Sequence, residues 1–523
     1  MKHDMGNVLM QPAAKPNGKK AIGFDTAKYL RLQADAIHER CGRFDNKLYL
    51  EFGGKLCCDN HAARVLPGYQ PDAKVRMFRQ LKKDLAIAYC IGAKDIEKGK
   101  MRYDFGLTYD QQALKDIGDM KGLGIPVDAV VVTRFEGEGR AKKFVRLMEN
   151  LGMKVYVHTE ISGYPNDLDV ICSAKGYGAQ PYVALDKPLV VVTGPGPGSG
   201  KMAFCLAQIY HEHGRGVMSG FAKFETFPIW DLPLEHPVNI AYEAATAEMR
   251  DVNMIDPFHL KAYGRKAVNY NRDIENFGLL LRIMERIGWG GVFYKSPTDM
   301  GVNMAGSCIV NDRAVRDAAR QEIVRRFFMY KRGAFLGMES PETVEWMRSI
   351  MDKAGVKEDD RKVVGPARLA AVQARRKGKG NEGVYCGAAV ELPDGRIVTG
   401  KNSPLLHAES AAVLNAVKVM AGIPDNIHLL PPSVIRSINR LKTKTYGEKS
   451  ESIMLDEALI ALAISASGNP MAETCIGMLG RLRGCEMHTT HMPSAGDEGG
   501  LRKLGLNVTT DALAGVLVNK NGS

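Results

Sequence analysis

The 523-residue chain lacks most of the marks that assign a sequence quickly. Its ten cysteines, at 41, 57, 58, 90, 172, 205, 308, 386, 475 and 485, include no C-x-x-C pair. That spacing excludes zinc ribbons and thioredoxin-type redox motifs, and reduced, packed thiols in a reducing cytoplasm are expected. No apolar run approaches the roughly 18–20 residues of a membrane helix, and the best stretch, Ala458–Ile464, reads as a buried helix face. The N-terminus carries Lys2, His3 and Asp4, then proline and lysine, with no apolar core for a secretion signal. Neither H-E-x-x-H nor G-x-S-x-G occurs, so zincin and serine-elbow chemistry lose their motifs. A cytoplasmic protein that makes no membrane contact is the expectation.

Acidic residues are the minority charge: 59 Asp and Glu against 71 Lys and Arg, a formal net charge of +12. Such a balance suits anionic partners. The densest basic block, Arg361–Lys379, holds seven basic residues and no acidic one. It has no interleaved aromatics to stack bases, so it reads as a solvated linker or helix face and nucleic acid is not an expected partner.

What is present is the composition of a globular protein, 45% hydrophobic and 25% charged, long enough for two to four domains. Apolar runs at Lys47–Phe52, Leu85–Ile91, Asp128–Thr133, Lys154–His158 and Pro188–Thr193 predict strands. Helical spacing at Gly139–Leu151 and Lys201–His213 alternates with them. That rhythm predicts an α/β fold with a mostly parallel sheet covered on both faces. Residues 225–345 read as helices broken by loops, and Met338–Ala371 as helical with interruptions. The expected divisions are a loose tail at 1–20, an α/β domain at 21–370 with a division near 185, a basic linker at 371–381, and a smaller α/β domain at 382–523. In that last part Ala388–Val398 resembles a hairpin with an Asp-Gly turn, followed by helices at His407–Ala421 and Leu455–Ser467.

The stretch richest in chemistry is Val190-Val191-Val192-Thr193-Gly194-Pro195-Gly196-Pro197-Gly198-Ser199-Gly200-Lys201-Met202. An apolar strand ends in a glycine-rich loop with one lysine, and a helix follows. Backbone N–H groups of such a loop turn toward an anion, the helix N-terminus adds partial positive charge, and the lysine adds a full one. The loop is a degenerate P-loop. A Walker sequence has glycine six places before the lysine, where this chain has Pro195, and a magnesium-binding hydroxyl after it, where this chain has Met202. Gly194, Gly196, Gly198, Ser199, Gly200 and Lys201 are the expected ligand-binding residues. The expected ligand is ATP or another small phosphorylated molecule, with or without Mg2+.

Downstream acidic groups in loop-like sequence, Asp231, Asp251, Asp256 and Asp299, are candidates to complete such a site, and helix capping is their ordinary alternative. Asn269, Asn271, Arg272 and Asp273 form one polar cluster, and Lys223 with Glu225 another. Near the C-terminus Cys485, His488 and His491 lie within seven residues, with Asp497 and Glu498 following. They offer metal ligands or a nucleophile–base pair, although a strand would turn Cys485 and His488 to opposite faces. His407-Ala408-Glu409 copies the H-x-E half of the zinc-deaminase signature, but P-C-x-x-C is missing. A chance occurrence is the expectation there.

The glycine loop, Phe224–Trp230, Asp251–His259, Ser296–Asn303 and Gly484–His488 together resemble a conserved bacterial family of large proteins known only as a domain of unknown function. The resemblance spans about Gly23 to Asp511 and implies a larger N-terminal and a smaller C-terminal part. It implies no reaction; some members are labelled ATP-dependent peptidases, a label without motif support here. The leading expectation is therefore an enzyme that binds a nucleotide or phosphorylated metabolite at the loop, completed by Asp256, His259 and Asp299, with His488 a further catalytic candidate. Its rivals are a metabolite-sensing or assembly protein and a metal-dependent hydrolase at Cys485–His491. Length and apolar content suit a homo-oligomer.

Overall fold

Four of the apolar runs become strands whose side chains are almost all excluded from water, because helices cover both faces of the sheet they form. The computed structural model describes residues 21–45, 47–102, 107–288 and 294–514. Its larger sheet contains β1 (Leu48–Phe52), β2 (Leu85–Gly92), β3 (Ala129–Thr133), β4 (Val155–Val157), β5 (Leu189–Thr193), β6 (Gly220–Phe224) and β7 (Gly301–Val302). All seven are parallel, in the order β7-β6-β1-β5-β2-β3-β4. Every residue of β2, β3 and β5 is buried. The sheet is the parallel, doubly covered one that the strand–helix rhythm predicts.

The chain forms two compact units, one of residues 21–322 and one beginning at Ile323, and the boundary falls inside the helix Asp312–Phe335. Strands from either side of residue 185 alternate within the larger sheet. From β2 the chain steps outward to β3 and β4, returns to β5 on the other side of β2, and continues over β1 to β6 and β7. The direction reverses between β2 and β5. In open α/β sheets such a reversal leaves a crevice at the carboxyl ends of the strands, where ligands bind. β7 lies inside the stretch read as helices broken by loops, and β6 just before it. The sequence of β6, Gly-Phe-Ala-Lys-Phe, breaks its apolar run with a half-buried lysine, which disguises it.

The second unit carries β8 (Gly387–Glu391), β9 (Ile397–Lys401), β10 (Glu486–His491) and β11 (Asn507–Leu513), in the order β9-β8-β10-β11. β8 is antiparallel to both neighbours, and β10 and β11 are parallel. Ala388 and Val390 face a core built with Ala408, Ala412 and Ala416 of the helix Ala408–Ala421. That helix comes so close that a Cβ on Gly400 would stand 2.2 Å from the Ala412 nitrogen. Ala389 turns to the opposite face, against Val363 and Ala367. Residues 371–381 complete the helix Val364–Arg376 and the turn after it, with Ala374 buried.

On that second face Arg361 is buried to 1% exposure. Its Nη1 donates to Glu486 Oε2 at 2.6 Å, its Nε to Thr509 Oγ1 at 2.9 Å, and its Nη2 to the carbonyls of Met487 and Asn507. Arg325 also donates to Glu486, at 2.8 Å. Burial pushes the Glu486 carboxyl up, but the two guanidinium groups outweigh it and hold the group at about 2. A carboxyl lowered from 4.5 stabilises the fold fully above that value and loses the contribution as pH falls toward 2. Arg361→Met is expected to cost about 3 kcal/mol at pH 7, the low end for a broken buried pair because Arg325 remains. In denaturant titrations from pH 7 to pH 3 the wild type should lose stability more steeply below pH 4.5 than the variant; equal slopes would refute the assignment.

Candidate functional site

β5 stops at Thr193, and the chain turns through Gly194–Gly200 into the 14-residue helix Lys201–Gly214. The loop therefore lies at the crevice between β5 and β2. Its glycines are sterically required. A Cβ on Gly196 would stand 2.3 Å from the Tyr109 hydroxyl, and Gly200 has φ +79° with Thr133 2.6 Å from its Cβ position. Three carbonyls of the loop are held by side chains. Lys201 Nζ and Ser199 Oγ donate to Gly196 O at 3.2 and 2.5 Å, Arg134 Nη2 to Gly198 O at 2.5 Å, and Thr133 Oγ1 to Ser199 O at 2.9 Å. Gly200 is the N-cap and supplies no side-chain acceptor, so none serves the orphan N–H groups of the first turn. Beside Gly194 a cavity of about 40 Å³ is lined by Tyr89, Gln112, Asp116 and Thr193. Tyr89 donates to Asp116 there at 2.8 Å.

Two strands away, roughly 10 Å at the usual spacing, the same edge of the sheet carries a buried charged cluster. Glu51 on β1 is level with Val192 of β5 and Lys223 of β6. Lys223 is ion-paired with Asp273, in the first turn of the helix Asn271–Ile287. Burial works against the lysine charge, but the carboxylates of Asp273, Glu51 and Glu225 hold its pKa above the usual range. Glu225 follows β6. Burial and then the Asp273 carboxylate push its pKa well above the ordinary carboxylate range against the pull of Lys223. Tyr270 lies 3.4 Å from both Lys223 Nζ and Glu225 Oε1. Glu225 Oε2, Asp273 Oδ2 and Glu51 Oε2 are buried without a donor among the described residues. Burial and the facing Asp273 carboxyl thus favour the neutral form of Glu225, beside a Lys223 ammonium that is ion-paired with Asp273. Such a split of environments is how proteins set acid–base roles.

The structure places the other sequence candidates as follows. Asp256 is fully buried and caps the helix Pro257–Tyr263. Its Oδ1 accepts from the N–H groups of Phe258 and His259, and its Oδ2 from Thr298 Oγ1 at 2.7 Å. His259 Nδ1 meets Ser296 Oγ at 3.0 Å, and Asp299 Oδ2 accepts from the Tyr263 hydroxyl at 3.0 Å. These three residues are thus brought together around the turn Ser296–Met300. Asp251 holds Arg272. His488 belongs to the other unit, on β10, fully buried. Its Nδ1 meets Thr509 Oγ1 at 2.9 Å and its Nε2 lies 3.5 Å from Asp511, too far for a good hydrogen bond.

The Cys485, His488 and His491 metal set is not assembled. Cys485 precedes β10 and points with Met487 into the core, while His488, paired with Ala389, points to the opposite face. His491 meets Thr490 Oγ1 instead. Among the described residues these three do not converge on a common point; the converging group is His407, Glu409 and Asp497. Glu51 is the functional candidate that sequence reading passed over. Its signal was a lone carboxylate in a strand otherwise buried.

A carboxyl raised by burial is a cost to the folded state that grows as pH rises from its unfolded value toward its folded one. Glu225→Gln keeps the shape and removes that titration. The variant is expected to gain stability over wild type, and to gain more at pH 8 than at pH 5. Chemical denaturation at both pH values checks this, and a gain independent of pH would contradict the assignment.

Residues 22–355 match the domain of unknown function DUF1846, N-terminal, and residues 359–514 match DUF1846, C-terminal. A UPF0371 protein of Clostridium tetani (strain Massachusetts / E88) is 49% identical over 494 residues, covering 94% of this chain and 97% of the relative. UPF0371 proteins of Clostridium botulinum strains Loch Maree and Eklund 17B are 49% and 48% identical, with the same coverage. The two matched segments reproduce the larger and smaller parts implied by the glycine loop and the motifs around it, and the chain belongs to the DUF1846 family, a conserved family of unknown function.

Proposed function

We propose that the N-terminal unit is an enzyme that binds a small phosphorylated molecule across the carboxyl edge of its parallel sheet. The phosphate lies on Gly194–Lys201, and Lys223, Glu225 and Asp273 act on the rest of the molecule. The observation that carries this reading is the uncapped helix start at Gly200, preceded by a glycine loop and followed by Lys201, at the reversal point of the sheet. An anion there caps the orphan N–H groups and meets the positive end of the helix. Lys201 exchanges its bond to the Gly196 carbonyl for a phosphate oxygen.

Proton transfer on a phosphorylated metabolite fits these side chains better than P-loop phosphoryl transfer. Met202 occupies the position that binds magnesium in a Walker loop, whereas Glu225 offers a proton and Asp273 an adjacent acceptor. Asp256 supports the fold within this unit through its cap.

Calorimetric titration of ATP, GTP, NAD and inorganic pyrophosphate, each with Mg2+ and with EDTA, tests the loop. Binding is expected for at least one of them, and Lys201→Ala should weaken it tenfold or more, about 1.4 kcal/mol. No binding under any of these conditions, or equal binding by the variant, removes the phosphate site.

A further inference from the structure

The start of the helix Ala408–Ala421 carries the H-x-E sequence, and the fold supplies what the sequence lacked. His407 is the N-cap residue of this helix but makes no side-chain cap bond, so its imidazole is not spent on its own helix. Its Nδ1 instead meets Asp497 Oδ2 at 2.6 Å. Asp497 lies in the first turn of the helix Ala495–Leu504, is buried to 1% exposure, and accepts from the Leu455 N–H and the Ser494 hydroxyl. Glu409 is buried too, with Oε1 accepting from Thr489 Oγ1 at 2.7 Å. One donor atom each from His407, Glu409 and Asp497 lie within 4.8 Å of one another.

The second helix start reads Pro493-Ser494-Ala495-Gly496-Asp497. This is the P-C-x-x-C spacing with oxygen donors in place of both thiolates. A search for cysteines cannot see it. Asp497 stands at the second of the two positions that a zinc deaminase fills with sulfur, and the fold brings it to the H-x-E helix; Ser494, at the first, donates to Asp497, and Glu409, which is not a ligand in that signature, takes the third place in the cluster.

We propose that His407, Glu409 and Asp497 bind one divalent transition-metal cation of the Zn2+ class. Metal bonds of about 2.0–2.2 Å set donor atoms about 3–4 Å apart, a separation reached from this cluster by small rotations of the side chains. Charge points the same way. Two buried carboxyl groups face a single imidazole, and the Lys442 ammonium that acts on His407 is tied to Glu457 at 2.9 Å and to the Ser452 carbonyl. The hydrogen bonds these carboxyl groups accept leave them side by side in the interior, an arrangement that a dication stabilises. The His407 side chain is 24% exposed, which gives an ion a way in. An imidazole among the ligands favours Zn2+ or Co2+ over Mg2+, a hard cation that prefers oxygen alone. One nitrogen and two oxygen donors leave a coordination position for water or a substrate oxygen.

The test uses the full-length protein, stripped with EDTA and exchanged into metal-free buffer. It is titrated with Zn2+, Co2+ and Mg2+ by calorimetry, and Co2+ is also followed by visible absorption. One Zn2+ or Co2+ per chain is expected, with a Co2+ d–d band, no thiolate-to-cobalt charge-transfer band, and Mg2+ at least 100-fold weaker. His407→Gln and Asp497→Asn should each weaken Zn2+ tenfold or more. The proposal is overturned by an absence of stoichiometric Co2+ binding to wild type. A thiolate charge-transfer band would overturn it by placing the metal on cysteine, and so would a loss below tenfold in both variants. Should either variant fail to fold, the wild-type cobalt spectrum and Glu409→Gln decide on the same criteria. Neither reading depends on what binds the glycine loop.

Discussion

Burial of both faces of the seven-stranded parallel sheet governs where this chain can keep polar chemistry. With helices on either side, a charged side chain in the middle of β2, β3 or β5 would face hydrocarbon, and every residue of those strands is buried. Polar groups are displaced to the strand ends. At the carboxyl ends they meet helix N-termini, which favour anions, and the glycine loop and the first turn of Asn271–Ile287 are both such ends. Glu51 and Lys223 sit near the ends of β1 and β6 for the same reason. The candidate site is therefore a consequence of the sheet rather than an addition to it.

Electrostatic compensation links the pieces. Lys223 is tolerated because Asp273 and Glu51 lie beside it, and burial next to Asp273 favours the neutral form of Glu225. In the second unit Arg361 and Arg325 do the same work for Glu486 on one face of the small sheet. On the other face the side chains of His407, Glu409 and Asp497 converge. The two faces of that sheet thus differ: on one a carboxylate meets two guanidinium groups, and on the other two buried carboxyl groups meet an imidazole at two helix starts.

Much of the architecture was legible in the residues. The runs ending at Phe52, Ile91, Thr133 and Thr193 became β1, β2, β3 and β5, since short apolar runs with aromatic or β-branched residues suit a pleated, buried strand. The Asp-Gly turn between Ala388 and Val398 became the hairpin β8–β9. β6 escaped because its lysine interrupts the apolar pattern, and that half-buried lysine is paired with Asp273, 50 residues later. Cys485 and His488 took opposite faces of a strand edge as alternation requires. The H-x-E sequence has no cysteine partners in the chain, and only the fold brings Asp497 to it.

By itself the sequence determined the local elements, the α/β class, the glycine loop with its following helix, and the strings that carry family membership. These depend on neighbours in the chain: a period of apolar residues, a glycine where a turn demands positive φ, a lysine at a helix start. Only the tertiary structure decided which charges meet. The pairs Lys223–Asp273, Arg361–Glu486 and His407–Asp497 are separated by 50, 125 and 90 residues. Their proximity, and hence every shifted pKa and every candidate ligand set, arises when strands order themselves in a sheet and helices cross it. Local propensity carries no record of that order, because it is fixed by packing between segments that are distant in sequence.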